Sequence, residues 1–186
     1  MTWKPRAAFP PDLSVLVDLF YPNLSALGEF QESDASGIPA PFRGLLAHDA
    51  HMTVTVEAFF RDTVDVAVLQ SHHTPTHYSR KILLSTRRGQ QPVLFGLVRL
   101  NLGFLAPDVR AEIESERVPL GRVLIEHNVM RNVRLLSLWQ IEPGTELKRL
   151  FGLADSQRCF GRTALIYCNG VPAVELLEIV TPRLPA

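Results

Sequence analysis

The sequence predicts an α+β fold, a single domain with a six-stranded, mainly antiparallel sheet and flanking helices. Six stretches rich in β-branched residues alternate in polarity, the last two are joined by Asn169-Gly170, and short helical patterns interrupt them. Asn-Gly tolerates positive φ at both central turn positions, which makes it a strong two-residue hairpin signal. The strands are expected at 63–71, 78–86, 93–102, 134–141, 158–168 and 173–180.

The helices follow from caps and spacing. Leu13, Leu16, Val17 and Phe20 share one helical face behind Asp12, an N-cap residue. Pro107 and Pro119 each suit a helix start, giving helices over 107–116 and 119–128, and a helix over 145–151 should stop at Gly152. Residues 23–42 are rich in Ser, Gly and Pro and read as an irregular connection, so that residues 1–42 form an N-terminal helix and mobile arm. Residues 52–60 (MTVTVEAFF) are in conflict: alternation and branching favour a strand, while Asp49 and Glu57 allow a short capped helix.

Composition narrows the function classes. A chain of 186 residues with 46% apolar content buries about 70% of its unfolded surface and needs no staple to fold. Its 19 basic and 19 acidic residues balance, which argues against nucleic acid and anionic membranes as partners. There is no run of 18 apolar residues, and the first eleven residues, broken by Lys4, Pro5, Arg6, Pro10 and Pro11, lack the apolar core of a secretion signal. A cytoplasmic location is expected. Cys159 and Cys168, nine residues apart on one expected strand, would be about 30 Å apart when extended, so they are read as free thiols. No oligomeric state is specified by the pattern.

Charges on the wrong strand face are the informative residues. Arg80 alternates with Tyr78, Ile82 and Leu84, whereas Lys81 falls on the opposite, solvent-facing side. Glu178 falls with Val174, Leu176 and Val180, and Glu175 on the other face. An ion drawn out of water costs several kcal/mol unless paired. Either Arg80 and Glu178 pair with each other or with backbone groups, or they line a pocket with a guanidinium at one end and a carboxylate at the other, suited to a ligand bearing a carboxylate and a hydroxyl. A helix starting at Pro119 would also leave the amides of Leu120 and Gly121 free for an anion.

The chain resembles the chorismate pyruvate-lyases. Four segments in order carry the resemblance: Leu45 to Thr53 (LLAHDAHMT), Arg80 to Leu84 (RKILL), Pro119 to Arg122 (PLGR), and Gly161-Arg162 running through Asn169-Gly170-Val171-Pro172 to Glu178. The resemblance implies a chorismate lyase-like domain over 43–186 and a cofactor-independent carbon–oxygen lyase that converts chorismate to 4-hydroxybenzoate and pyruvate, with no metal. It implies that Arg80 and Glu178 are the catalytic pair, with Arg80 on the ring carboxylate, the amides at Met52 and Leu120 assisting, and Glu178 facing the 4-hydroxyl as orienting group or base. It also implies that Met52 begins a helix. Counted from Gly170, the glutamate comes one residue late and a gapless match meets Leu177. A β-bulge in the last strand would absorb the difference, with Glu175 as the fallback.

The rival reading is a non-catalytic module for small aromatic or acidic ligands, because the same fold serves as an effector-sensing domain in bacterial regulators. The chain length and charge balance leave no expected helix-turn-helix domain. His72, His73 and His77 surround Pro75 and read as a mobile loop rather than a metal site. His127 reads as a favourable charge at a helix C-terminus. No Gly-rich phosphate loop, nucleophile elbow or H-E-x-x-H occurs.

Overall fold

The computed structural model describes residues 12–185. The expectation that the first eleven residues hold no secretion signal lies outside them. Among the described residues, seven strands form one antiparallel sheet, β1 (Gly28–Ser33), β2 (Val64–His73), β3 (His77–Thr86), β4 (Pro92–Asn101), β5 (Arg131–Pro143), β6 (Cys159–Cys168) and β7 (Val171–Val180), in the order β1-β5-β6-β7-β4-β3-β2. The helices are α1 (Leu13–Asp18), α2 (Leu24–Leu27), α3 (Ala40–Leu46), α4 (Met52–Phe60), α5 (Pro107–Glu114), α6 (Leu120–Glu126) and α7 (Thr145–Phe151).

The six expected strands are present, and the seventh, β1, lies in the segment read as an irregular arm. It pairs along its whole length with β5 at the sheet edge, Gly28 opposite Pro143 and Ser33 opposite Leu138. Its residues Glu29, Gln31 and Glu32 hide the strand pattern but suit an edge that must not recruit further strands. Gly28 is required by close approach, since a Cβ there would lie 2.6 Å from the Glu142 carbonyl oxygen. The same arm contributes α3, whose Leu45 and Leu46 are buried.

Local chemistry accounts for the element ends. The Asp12 carboxylate accepts the Ser14 amide at 2.9 Å and starts α1. Asn169 (φ 52°) and Gly170 (φ 81°) form the β6–β7 turn in the left-handed conformation, and Gly152 ends α7 at φ 61°. Residues 52–60 are helical. Met52, Thr53 and Val56 turn one face into the core, and Arg61 in a left-handed conformation stops the helix, so tertiary burial overrides local β-propensity.

The sheet has two covered faces. On one, α3, α4, α5 and α6 pack over Tyr78, Ile82, Leu94, Val98, Ile166 and Val180. On the other, α1 and α7 pack over Phe95, Leu97, Leu177 and Ile179. The second layer corrects the expectation for Lys81. It is 8% exposed, its Nζ donates to Glu146 Oε1 of α7 at 3.1 Å and lies 4.8 Å from the Tyr21 ring centroid. Alternation places Lys81 opposite Arg80 as read, but that face is not solvent. Cys159 and Cys168 are free and buried, and burial pushes both thiols up, to about 12 and about 11.

The three histidines lie at the β2–β3 hairpin. His73 and His77 end and begin those strands, and the His73 ring packs 4.6 Å from Tyr78. At the end of α6, His127 hydrogen-bonds Glu112 and lies 3.4 Å from Asp108. Glu112 first and Asp108 second hold its pKa above the ordinary value. A raised folded-state pKa gives stability that is complete below the unfolded value near 6.5 and vanishes as pH rises through the folded value. His127→Gln should therefore melt below the parent at pH 5.5 and with it at pH 9, as thermal scans at both pH values would show.

Candidate functional site

The helix-covered face carries Arg80 from β3, Arg162 from β6 and Glu178 from β7, because all three alternate with buried apolar residues on their strands. Cross-strand register fixes their relation. Glu178 stands opposite Gly96 on one side and Arg162 on the other, while Arg80 stands opposite Val98, itself opposite Leu176. The register shift that brings Glu178 inward is a bulge near the hairpin, where Ile166 pairs with Val174 and Tyr167 with Pro172, leaving Ala173 as the extra residue. Glu175 turns to the opposite face, where its carboxylate lies 3.3 Å from Arg99 Nη1.

A slot runs between the sheet and the first turns of α4 and α6. Ile82, Leu84, Leu94, Val98 and Leu176 form its apolar floor, Glu178 and Arg162 its polar side, and His51, Met52, Thr53, Leu120 and Gly121 its roof. About 500 Å³ of empty space lies among the lining atoms, mouth included. Gly96 opens the floor opposite Glu178, since a Cβ there would stand 3.0 Å from Ile82 Cγ1.

The two buried guanidinium groups differ in their partners. Arg162 is fully buried; its Nε donates to Glu178 Oε2 at 2.8 Å, its Nη1 to the His48 carbonyl at 2.8 Å and its Nη2 to the Ala50 carbonyl at 3.0 Å. It therefore neutralises Glu178 and ties down the loop that delivers Met52 to the slot. Arg80 is also fully buried, yet its Nε, Nη1 and Nη2 have no hydrogen-bond partner among the described residues. Burial pushes its pKa down, with Tyr78 and then Glu116 pulling it back up. The Tyr78 hydroxyl donates instead to Glu116 Oε1 at 2.7 Å. Direct pairing of Arg80 with Glu178, one of the two sequence expectations, does not occur: Glu178 belongs to Arg162.

Of the residues expected at the site, Met52, Leu120, Gly121 and Glu178 line the slot. Arg80 does not, although Val98 and Leu176 in its ladder row and Ile82 two residues on do. Sequence reasoning missed the role of Arg162. The signal was available, since Arg162 sits between Phe160 and Ala164 on a face that is otherwise apolar, the same irregularity that marked Arg80 and Glu178. It also missed His51, whose pKa is lowered to about 4 by burial first, then by Arg131 and Arg162.

No protein-family model matches the sequence, and no curated protein matches it. Solved structures do match in fold. PhnF from Mycobacterium smegmatis aligns with TM-score 0.54 and 10% identity over 74% of this chain and 66% of its own. A GntR-family transcriptional regulator from Bacillus cereus aligns at TM-score 0.45 and 11% identity, over 66% of this chain and 94% of its own. The ligand-binding domain of a protein classed with the GntR-family transcriptional regulators, from Bordetella bronchiseptica, aligns at 0.47 and 14%, over 65% and 87%. The likeness rests on the first of these and is one of fold alone. The expectation of a cofactor-independent carbon–oxygen lyase stands corrected: the matched structures named by class are regulators or their ligand-binding domains, and a likeness at 10–14% identity is one of fold alone. Among the described residues no helix is long and apolar enough to cross a membrane.

Proposed function

We propose that the domain is a non-catalytic binding module for a small ring-shaped acid. The observation that carries this reading is Arg80, a buried guanidinium whose three nitrogens have no hydrogen-bond partner among the described residues. Keeping such a group out of water costs several kcal/mol, and a ligand carboxylate, which matches it in charge and bidentate geometry, removes that cost on binding. In this reading the ligand parts the floor at Val98 and Leu176, whose ladder row holds Arg80, so that Arg80, outside the slot of the free protein, takes the carboxylate; the amides at Met52, Leu120 and Gly121 assist, and the ring lies on the apolar floor. Glu178 accepts a ring hydroxyl through Oε1, the oxygen that Arg162 Nε does not engage. Glu178 orients rather than abstracts, and Arg80 anchors rather than activates.

The test is calorimetric titration with 4-hydroxybenzoate as probe, expected to give saturable one-to-one binding. At 100 times Kd the probe should add about 2.7 kcal/mol to the unfolding free energy. Chorismate offered to the protein should release no pyruvate. Stoichiometric pyruvate, or a probe heat unchanged in Arg80→Met, would end the proposal.

A further inference from the structure

The roof of the slot contains a polar notch of its own. Gly121 is its base. A Cβ there would lie 3.0 Å from Thr53 Oγ1 and 3.5 Å from His51 Nδ1, so the missing side chain leaves open the space between these two groups. His51 is the N-cap residue of α4, yet its side chain makes no capping hydrogen bond. Its Nε2 accepts from Arg131 Nε at 3.0 Å. A guanidinium N–H can only donate, so Nε2 carries the lone pair and the ring proton resides on Nδ1. Nδ1 lies 3.5 Å from where a Gly121 Cβ would stand, at the edge of the gap. Burial first, and then the guanidinium groups of Arg131 and Arg162, hold the ring neutral, which keeps that tautomer through the physiological range.

We propose that His51 Nδ1–H and Thr53 Oγ1–H, facing one another across Gly121, form a neutral donor pair that selects, among ring acids, those carrying a second oxygen acceptor. Arg131 is a positioning residue, acting by fixing the His51 tautomer. The inference rests on the slot's being a ligand site and deepens that reading, since Arg80 would recognise the acid and the notch would recognise what else the ring bears. Two donors and no acceptor line the gap when both hydrogens point inward. A carbonyl or carboxylate oxygen therefore fits, and an apolar substituent leaves both donors stranded.

Benzoate and its 3- and 4-formyl derivatives are the probes, because the formyl group adds an acceptor without a donor. At least one isomer should bind about tenfold more tightly than benzoate, the equivalent of about 1.4 kcal/mol. Gly121→Ala removes a helix-weakening glycine while filling the notch, so it should fold and bring the affinity ratio close to one. Thr53→Val should do so in part. Long-range proton–nitrogen NMR on the free protein should show His51 protonated at Nδ1, and Arg131→Gln should mix the tautomers.

A formyl advantage that survives Gly121→Ala, an absent advantage alongside clear benzoate binding, or a proton found on Nε2 would overturn the notch and leave the slot reading intact. Failure of all three probes to bind would overturn both.

Discussion

Arg80→Met is expected to raise the melting temperature of the ligand-free protein while abolishing its response to an aromatic acid. Among the described residues, Arg80 is the largest fully buried side chain whose polar atoms have no hydrogen-bond partner. Methionine fills much the same volume with an unbranched apolar chain, and it meets Val98, Leu176 and the other apolar residues of that face. Replacing buried ionic groups with apolar ones of like size stabilises by about 1–4 kcal/mol in favourable cases. For a chain of this length each kcal/mol corresponds to about 2–4 °C, so a rise of roughly 4–8 °C is a fair target. A guanidinium cannot relieve its burial by losing a proton, which makes Arg80 a sharper case than a buried lysine would be. The paired measurement is a thermal scan with and without 4-hydroxybenzoate. If Arg80 were structural, Arg80→Met would lower the melting temperature and leave any probe-induced shift in place.

The fold was legible where each strand's environment matched its own pattern. β2, β3, β4, β6 and β7 alternate or run apolar as half- or fully buried strands should, and Asn169-Gly170 makes the turn its φ preferences demand. β1 was hidden because an edge strand needs charge more than alternation, and what makes it a strand is β5, more than a hundred residues away. Propensity alone favours a strand over α4, whose helicity comes from Met52, Thr53 and Val56 packing inward; Asp49 and Glu57 only allow a capped helix, and the family resemblance decides for it. Lys81 shows the converse. Alternation assigned its face correctly, but nothing local in β3 announces that α1 and α7 cover that face. At the site, sequence found Arg80 and Glu178 by the same test and could not tell that a second arginine two strands from β3's neighbour would claim the glutamate. Pairing of buried charges is decided by register, and register depended on one bulged residue, Ala173.

Removal of the other buried guanidinium should have the opposite sign. Arg162→Met strands the Glu178 carboxylate, whose side chain is 12% exposed, and releases the carbonyls of His48 and Ala50. Breaking a buried pair from one side costs about 3–5 kcal/mol, and the melting temperature should fall by about 10 °C or more. Glu178→Gln leaves the arginine charged and buried and should cost a comparable amount, whereas Arg162→Met with Glu178→Leu should recover most of the loss. The double-mutant cycle then reports a coupling well above the scatter expected of independent sites. Because Nη1 and Nη2 hold the α3–α4 loop, hydrogen exchange at the amides of residues 47–52 should quicken in Arg162→Met and stay slow in Arg80→Met. Two arginines on one sheet face, exchanged for the same residue, should thus move stability in opposite directions. The difference follows from their hydrogen bonds: Arg162 has its anion within the chain, and Arg80 has no hydrogen-bond partner among the described residues. A fall of similar size in both variants would mean that Arg80, too, is held by the fold.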